Sequence, residues 1–144
     1  MKRLVFSLVA ALAATLVLAA SAGAGPPASV TITVNTTFGS PGTFTTTGGV
    51  LCPSGTTTDA TDVSGRGQVG NFHDLKTFTC DDDSGTFTLH IEAHHVFGAP
   101  TDSGSWSIAD GTGAYAGLQG SGTFVGTYSP EFSALQDQLI GQVH

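Results

Sequence analysis

Thr86-Phe87-Thr88-Leu89-His90-Ile91-Glu92-Ala93-His94-His95-Val96 carries the clearest structural signal in this chain. Phe87, Leu89, Ile91 and Ala93 fall on one side of an extended segment, and Thr86, Thr88, His90, Glu92 and His94 on the other. That alternation is the mark of a strand with one face on a core and the other in water. His95 breaks the pattern by falling on the apolar side. A buried or pocket-lining place and a strand-end place are both open to it.

On either side of this strand the pattern repeats. Asp81-Asp82-Asp83-Ser84-Gly85 reads as a hairpin turn, since Asp, Ser and Gly each favour turn geometry. Before it, Phe72–Cys80 is strand-like but irregular. Phe72 and Phe78 share a face with Lys76, while Leu75 falls opposite, which predicts a bulge or a strand covered on both sides. Further back, Thr56–Val63, Thr43–Thr47 and the cleanly alternating Val30–Asn35 are short strands. Downstream come Gly104–Ala109, Gly120–Tyr128 and a last segment of double character. Phe132, Leu135, Leu139 and Val143 recur at helical spacing, yet Leu135, Leu139 and Val143 also alternate with Gln136, Gln138 and Gln142. Short Thr- and Val-rich runs broken every 8–12 residues by Gly, Pro, Asp or Ser predict an all-β sandwich or barrel of about eight strands.

The N-terminus reads differently. Lys2 and Arg3 precede an apolar run, Leu4 to Ala20, and the small residues Ala20-Ser21-Ala22-Gly23-Ala24 follow. This is the pattern of a secretory signal peptide over residues 1–24, cleaved after Ala22 or Ala24. It leaves 25–144 as a single domain. Arg66 and Lys76 then face all eleven acids, a net charge of −9 with histidine neutral. Phosphate backbones are bound by neutralising cations, so nucleic acid is excluded as a partner, and an anionic membrane surface with it. The expected location is outside the cytoplasm: extracellular, periplasmic or in the cell envelope. There, Cys52 and Cys80, the only cysteines, are expected to form one structural disulfide. Neither sits in a CxxC motif, so zinc is not expected.

The most distinctive stretch is Trp106-Ser107-Ile108-Ala109-Asp110-Gly111-Thr112-Gly113-Ala114-Tyr115-Ala116-Gly117-Leu118-Gln119-Gly120-Ser121-Gly122-Thr123-Phe124. Gly111, Gly113 and Ala116 satisfy a loose dinucleotide fingerprint. That fingerprint requires a helix opening at the glycines, and Gly117, Gly120 and Gly122 argue for a turn entering a strand instead. The stretch resembles the glycine block of the allene oxide cyclase barrel-like proteins, a group with many small secreted bacterial members, and is similar to plant dirigent proteins in its Gly-Thr-Gly-aromatic core. The likeness extends more loosely to Cys80–Phe87 and Cys52–Gly55. It implies an eight-stranded antiparallel closed barrel, of calycin or dirigent type, with the C-terminal segment closing it as a strand. Trp106, Gly111, Gly113, Tyr115, Gly117, Leu118, Gly120 and Gly122 are then determinants of the fold. Enzymes of this group cyclise or steer small molecules in an apolar barrel without a cofactor, and their catalytic positions have no residue-by-residue counterpart in this chain.

His90, Glu92 and His94 are the best candidates for chemistry. Residues two apart on a strand lie on one face about 6.5–7 Å apart, so neighbours could share a metal or a proton. His90 and His94 would be about 13 Å apart, too far to share one small ion. A solvated outer face is therefore the preferred reading over metal binding or acid/base work. Asp81–Asp83 lacks the ligand spacing of a calcium loop and reads as a solvated turn. No metal or cofactor is expected, and no serine has a recognisable catalytic setting. The leading expectation is a non-enzymatic exported barrel that binds a small apolar molecule, since small eight-stranded barrels can hold one ligand. Its rivals are an envelope or matrix component, acting through its surface or as a homo-oligomer, and a cofactor-independent cyclase or isomerase.

Overall fold

The computed structural model describes residues 25–144, so the signal peptide read over 1–24 lies outside the described residues. Eight strands run in chain order: β1 (Ala28–Thr37), β2 (Gly42–Thr47), β3 (Ser54–Arg66), β4 (Val69–Cys80), β5 (Thr86–Val96), β6 (Thr101–Gly111), β7 (Gly120–Tyr128) and β8 (Ala134–Val143). Each pairs antiparallel with its neighbours in sequence, and β8 returns to pair with β1, closing the barrel. Among the described residues the one helical element is a short 3₁₀ turn, Gly113–Tyr115, and no helix is long and apolar enough to cross a membrane.

Alternation sorts the side chains. On β5, Phe87, Leu89, Ile91, Ala93 and His95 are buried inside, and their neighbours face outward. The C-terminal segment is a strand, with Leu139 and Val143 fully buried and ten register pairs to β1. On β4 the expected bulge is absent. The β3–β4 and β4–β5 registers are continuous, Leu75 is exposed, and Phe72, Asp74, Lys76 and Phe78 all take inward positions. The one register irregularity falls between Thr88 and Leu89, where β5 meets β6.

One end of the barrel is solid. Phe78 stacks on Phe87 with ring centroids 4.6 Å apart, and Phe44 meets both edge-on at 5.0 and 5.9 Å. Burying each such ring stabilises the fold by about 1.5–3 kcal/mol relative to exposure. The Cys52–Cys80 disulfide ties the segment just before β3 to the end of β4 here, as expected from the sequence. The glycine-rich stretch closes this end from outside. After Gly111 the 3₁₀ turn drops Tyr115 onto Phe87, centroids 5.4 Å apart, and the Tyr115 hydroxyl lies 3.0 Å from Ser84 Oγ. Gly113 has φ +60, and a Cβ there would strike the Ser84 carbonyl oxygen. Deeper in, Trp106 sits opposite Gly122, which in turn pairs with Gly141. A Cβ on either glycine would collide with the indole, so two empty positions on adjacent strands make room for one large ring.

Candidate functional site

The other end is open. Past Thr57, β3 leaves β2 and continues with β4 alone. Between that extension, the Phe38–Pro41 turn and β5–β8 lies a cavity of about 730 Å³. Phe72, Ile91, Ala93, Phe124 and Leu135 supply apolar walls, while Phe38, Phe97 and Phe132 stand half-exposed among its lining residues. His95 and Tyr128 link these rings into a collar. Their centroids are 4.9 Å apart, with Phe97 5.7 Å from His95 and Phe132 5.5 Å from Tyr128.

The floor is charged. Lys76, only 5% exposed, is ion-paired to Asp59, with Asp74 Oδ2 at 3.8 Å and Asp137 Oδ2 at 4.0 Å. Thr61 donates a hydrogen bond to Asp74 Oδ1 (2.9 Å), and the Tyr128 hydroxyl donates to Asp102 Oδ2 (2.9 Å). Asp102, Gly126 and Asp137 are directly opposed across β6, β7 and β8. A Cβ at Gly126 would collide with Oδ1 of both aspartates, so the glycine lets the two carboxylates share one corner of the cavity. Burial pushes the Asp137 carboxyl up to about 7, with Asp102, Asp59 and Asp74 adding to the rise and Lys76 opposing it. Burial and the neighbouring Asp59 push Asp74 to about 6. Tyr128 is also raised, by burial first and by Asp102 second.

Four buried polar side-chain atoms among the described residues have no hydrogen-bond partner: Thr36 Oγ1, Thr57 Oγ1, His95 Nδ1 and Asp102 Oδ1. All four residues line this cavity. Leaving such a group buried and unpaired costs about 1–3 kcal/mol, so native proteins keep them few, and here all four belong to residues around one space.

The residues singled out from sequence lie elsewhere. His90, Glu92 and His94 are on the outer wall, as the solvated-face reading expects. His90 Nε2 is 3.2 Å from Glu92 Oε1, but the third partner is His73 on β4, whose Nδ1 is 2.7 Å from Glu92 Oε2. His94 instead donates from Nδ1 to Asn71 Oδ1 (2.6 Å). One donor atom each from His73, His90 and Glu92 lies within 4.8 Å of the others, close enough to meet a divalent ion. With side chains 44–47% exposed, the three also satisfy one another as surface polar contacts. Asp81–Asp83 is a turn in which Asp82 Oδ1 accepts from the Ser84 N–H (3.0 Å) and Asp81 accepts from the Ser54 hydroxyl (2.8 Å). Beside the glycine-rich loop a second hollow, of about 630 Å³, is lined by Gly111, Gly117, Gly120 and neighbours. None of the four unpartnered atoms belongs to it.

The sequence reading left Asp59, Asp74, Asp102, Asp137 and Tyr128 unmarked, and kept the pocket-lining place of His95 only as an option. A signal was present in the strand pattern. Asp137 stands between Leu135 and Leu139, and Asp74 and Lys76 between Phe72 and Phe78, so charges occupy core-facing positions on two strands. Comparison with family models, with curated proteins and with solved structures finds no match to this chain.

Proposed function

We propose that this protein is an exported binding barrel that takes one small molecule, with an apolar body and a polar head, into its open end. The observation that carries the reading is that all four unpartnered buried polar atoms belong to residues lining the cavity. Apolar walls around a few polar groups are the composition of a ligand pocket. The disulfide and the signal-like N-terminus support a place outside the cytoplasm. An eight-stranded barrel is also the architecture implied by the likeness to the allene oxide cyclase barrel-like group. Native mass spectrometry of the protein purified from its natural host tests the reading. A reproducible additional mass is expected, and the Ala93→Phe variant, which puts a ring into the cavity, should lose it. Repeated preparations containing only the bare chain would overturn the proposal.

A second reading, cofactor-independent isomerisation or cyclisation, has one specific observation in its favour. A carboxyl poised near neutrality, Asp137, faces the cavity and could exchange a proton with a bound molecule. It transfers the acid/base role from His90, Glu92 and His94 to the barrel interior. Loss of turnover in Asp137→Asn with binding retained would mark it as correct. The envelope or matrix role has only exposed apolar side chains such as Val125 and Ile140 behind it, and ranks last.

A further inference from the structure

The cavity's charge is unbalanced. Asp59, Asp74, Asp102 and Asp137 all line it, and Lys76 is the single cation among them. The other cationic side chain of the described residues, Arg66, is exposed at the end of β3 and does not line the cavity. Lys76 is also committed: it is paired to Asp59 and lies toward Asp74 and Asp137. Asp102 is left with an unpartnered Oδ1 although the residue is only 8% exposed. Beside it, over Gly126, stands Asp137 Oδ1.

Resting on the small-molecule reading above, we infer that the ligand carries a protonated amine, seated between Asp102 and Asp137 with its apolar body against the aromatic collar. Carboxylates in excess around a cavity are unfavourable until a cation offsets them, and an ammonium group supplies donors that can satisfy the unpartnered Asp102 Oδ1 beside Asp137. The collar of Phe38, Phe72, Phe97, Tyr128 and Phe132 adds apolar ring surface for the body of the ligand. The same floor disfavours a carboxylate ligand.

The inference carries a pH signature. Groups facing the amine seat are Asp59 on β3, Asp74 and Lys76 on β4, His95 on β5, Asp102 on β6, Tyr128 on β7 and Asp137 on β8. Asp137 and Asp74 gain protons as pH falls through about 7 and about 6 respectively, and the floor then loses much of its negative charge. An alkylamine stays charged throughout that range. Its affinity should therefore rise with pH, and binding should release protons.

Three naphthalene probes of closely similar size test this: 2-(1-naphthyl)ethylamine, 2-(1-naphthyl)ethanol and 1-naphthaleneacetate, titrated into the purified protein at pH 8 and pH 5. The amine should bind at least tenfold more tightly than the alcohol at pH 8, with the carboxylate weakest, and the preference should shrink at pH 5. Asp102→Asn and Asp137→Asn should each lower the amine-to-alcohol ratio and leave the alcohol affinity in place. That ratio is an internal control, because a misfolded variant loses both probes. An alcohol that binds as tightly as the amine overturns the amine inference while the binding pocket stands. If no probe binds, and Ala93→Phe changes nothing, the pocket reading fails and the amine inference with it.

Discussion

The two ends of this barrel share one hydrogen-bond ladder and one inward–outward alternation, and they put opposite chemistry inside it. At the closed end the inward positions of β2, β4, β5 and β6 hold Phe44, Phe78, Phe87 and Trp106. Further along, β3, β4, β6 and β8 turn Asp59, Asp74, Lys76, Asp102 and Asp137 into the cavity. Both ends use a glycine on β7 to accommodate a neighbour: Gly122 makes room for Trp106, and Gly126 for the Asp102–Asp137 pair. Burying charges and orphaned polar atoms works against folding. The close-packed rings and the disulfide supply the stability that lets the other end tolerate them, an arrangement expected where a binding site departs from what stability alone would select.

That division of labour makes graded predictions. Phe87→Ala should cost the most, about 3–5 kcal/mol, because Phe44, Phe78 and Tyr115 all lose a partner. Guanidinium unfolding would measure it, and a loss under about 1 kcal/mol would deny the closed end its role. Replacing Cys52 and Cys80 together by Ala should cost about 3–4 kcal/mol, from the entropy regained by the unfolded chain. The open end should respond to pH instead. Asp74 and Asp137 stand at about 6 and about 7 when folded against an ordinary 3.8, so the native state holds these protons more tightly. Their contribution to stability is therefore full below about pH 3.8 and is lost as pH rises to about 7. From pH 5 to pH 8 the barrel should lose about 3–4 kcal/mol, and Asp137→Asn should remove most of that slope in thermal melts. The smallest effect belongs to the outer wall. His73→Ala removes one partner of a half-exposed pair and should change stability by less than about 0.5 kcal/mol. A larger loss would show that charged clusters outside the barrel matter as much as those within.

The closed end was largely legible from the sequence. Phe87 and Leu89 announced the closed-end inner face of β5, and the glycine-rich stretch was read as structural, the part it plays around Tyr115 and Trp106. The open end was not, for a physical reason. A lysine in line with Phe72 and Phe78 conflicts with the assumption that an inward face is an apolar core, which is why the pattern points to a bulge or a strand covered on both sides. The barrel interior is instead half core and half cavity, and Lys76 belongs to the second half. Asp59, Asp74, Asp102 and Asp137 come from four different strands, and only closure brings them together. The local trio His90, Glu92 and His94 drew attention because its members are neighbours in sequence, yet the structure keeps two of them and exchanges His94 for His73.

Seven of the eight strand interfaces join neighbours in the chain; the eighth, β1 with β8, matches Ala28 to Val143. Short-range hairpins close quickly, whereas bringing the two ends of the sheet together carries the greatest loop-closure entropy. Zipping β1 to β8 is therefore the natural slow step of folding. Until it happens, both strands present unpaired backbone to any passing copy of the chain. A substitution that weakens this one seam, such as a proline at Ile32 or Leu139, would prolong exposure of two adhesive edges. It should promote aggregation well beyond what an equal loss of stability in β4 or β5 would cause.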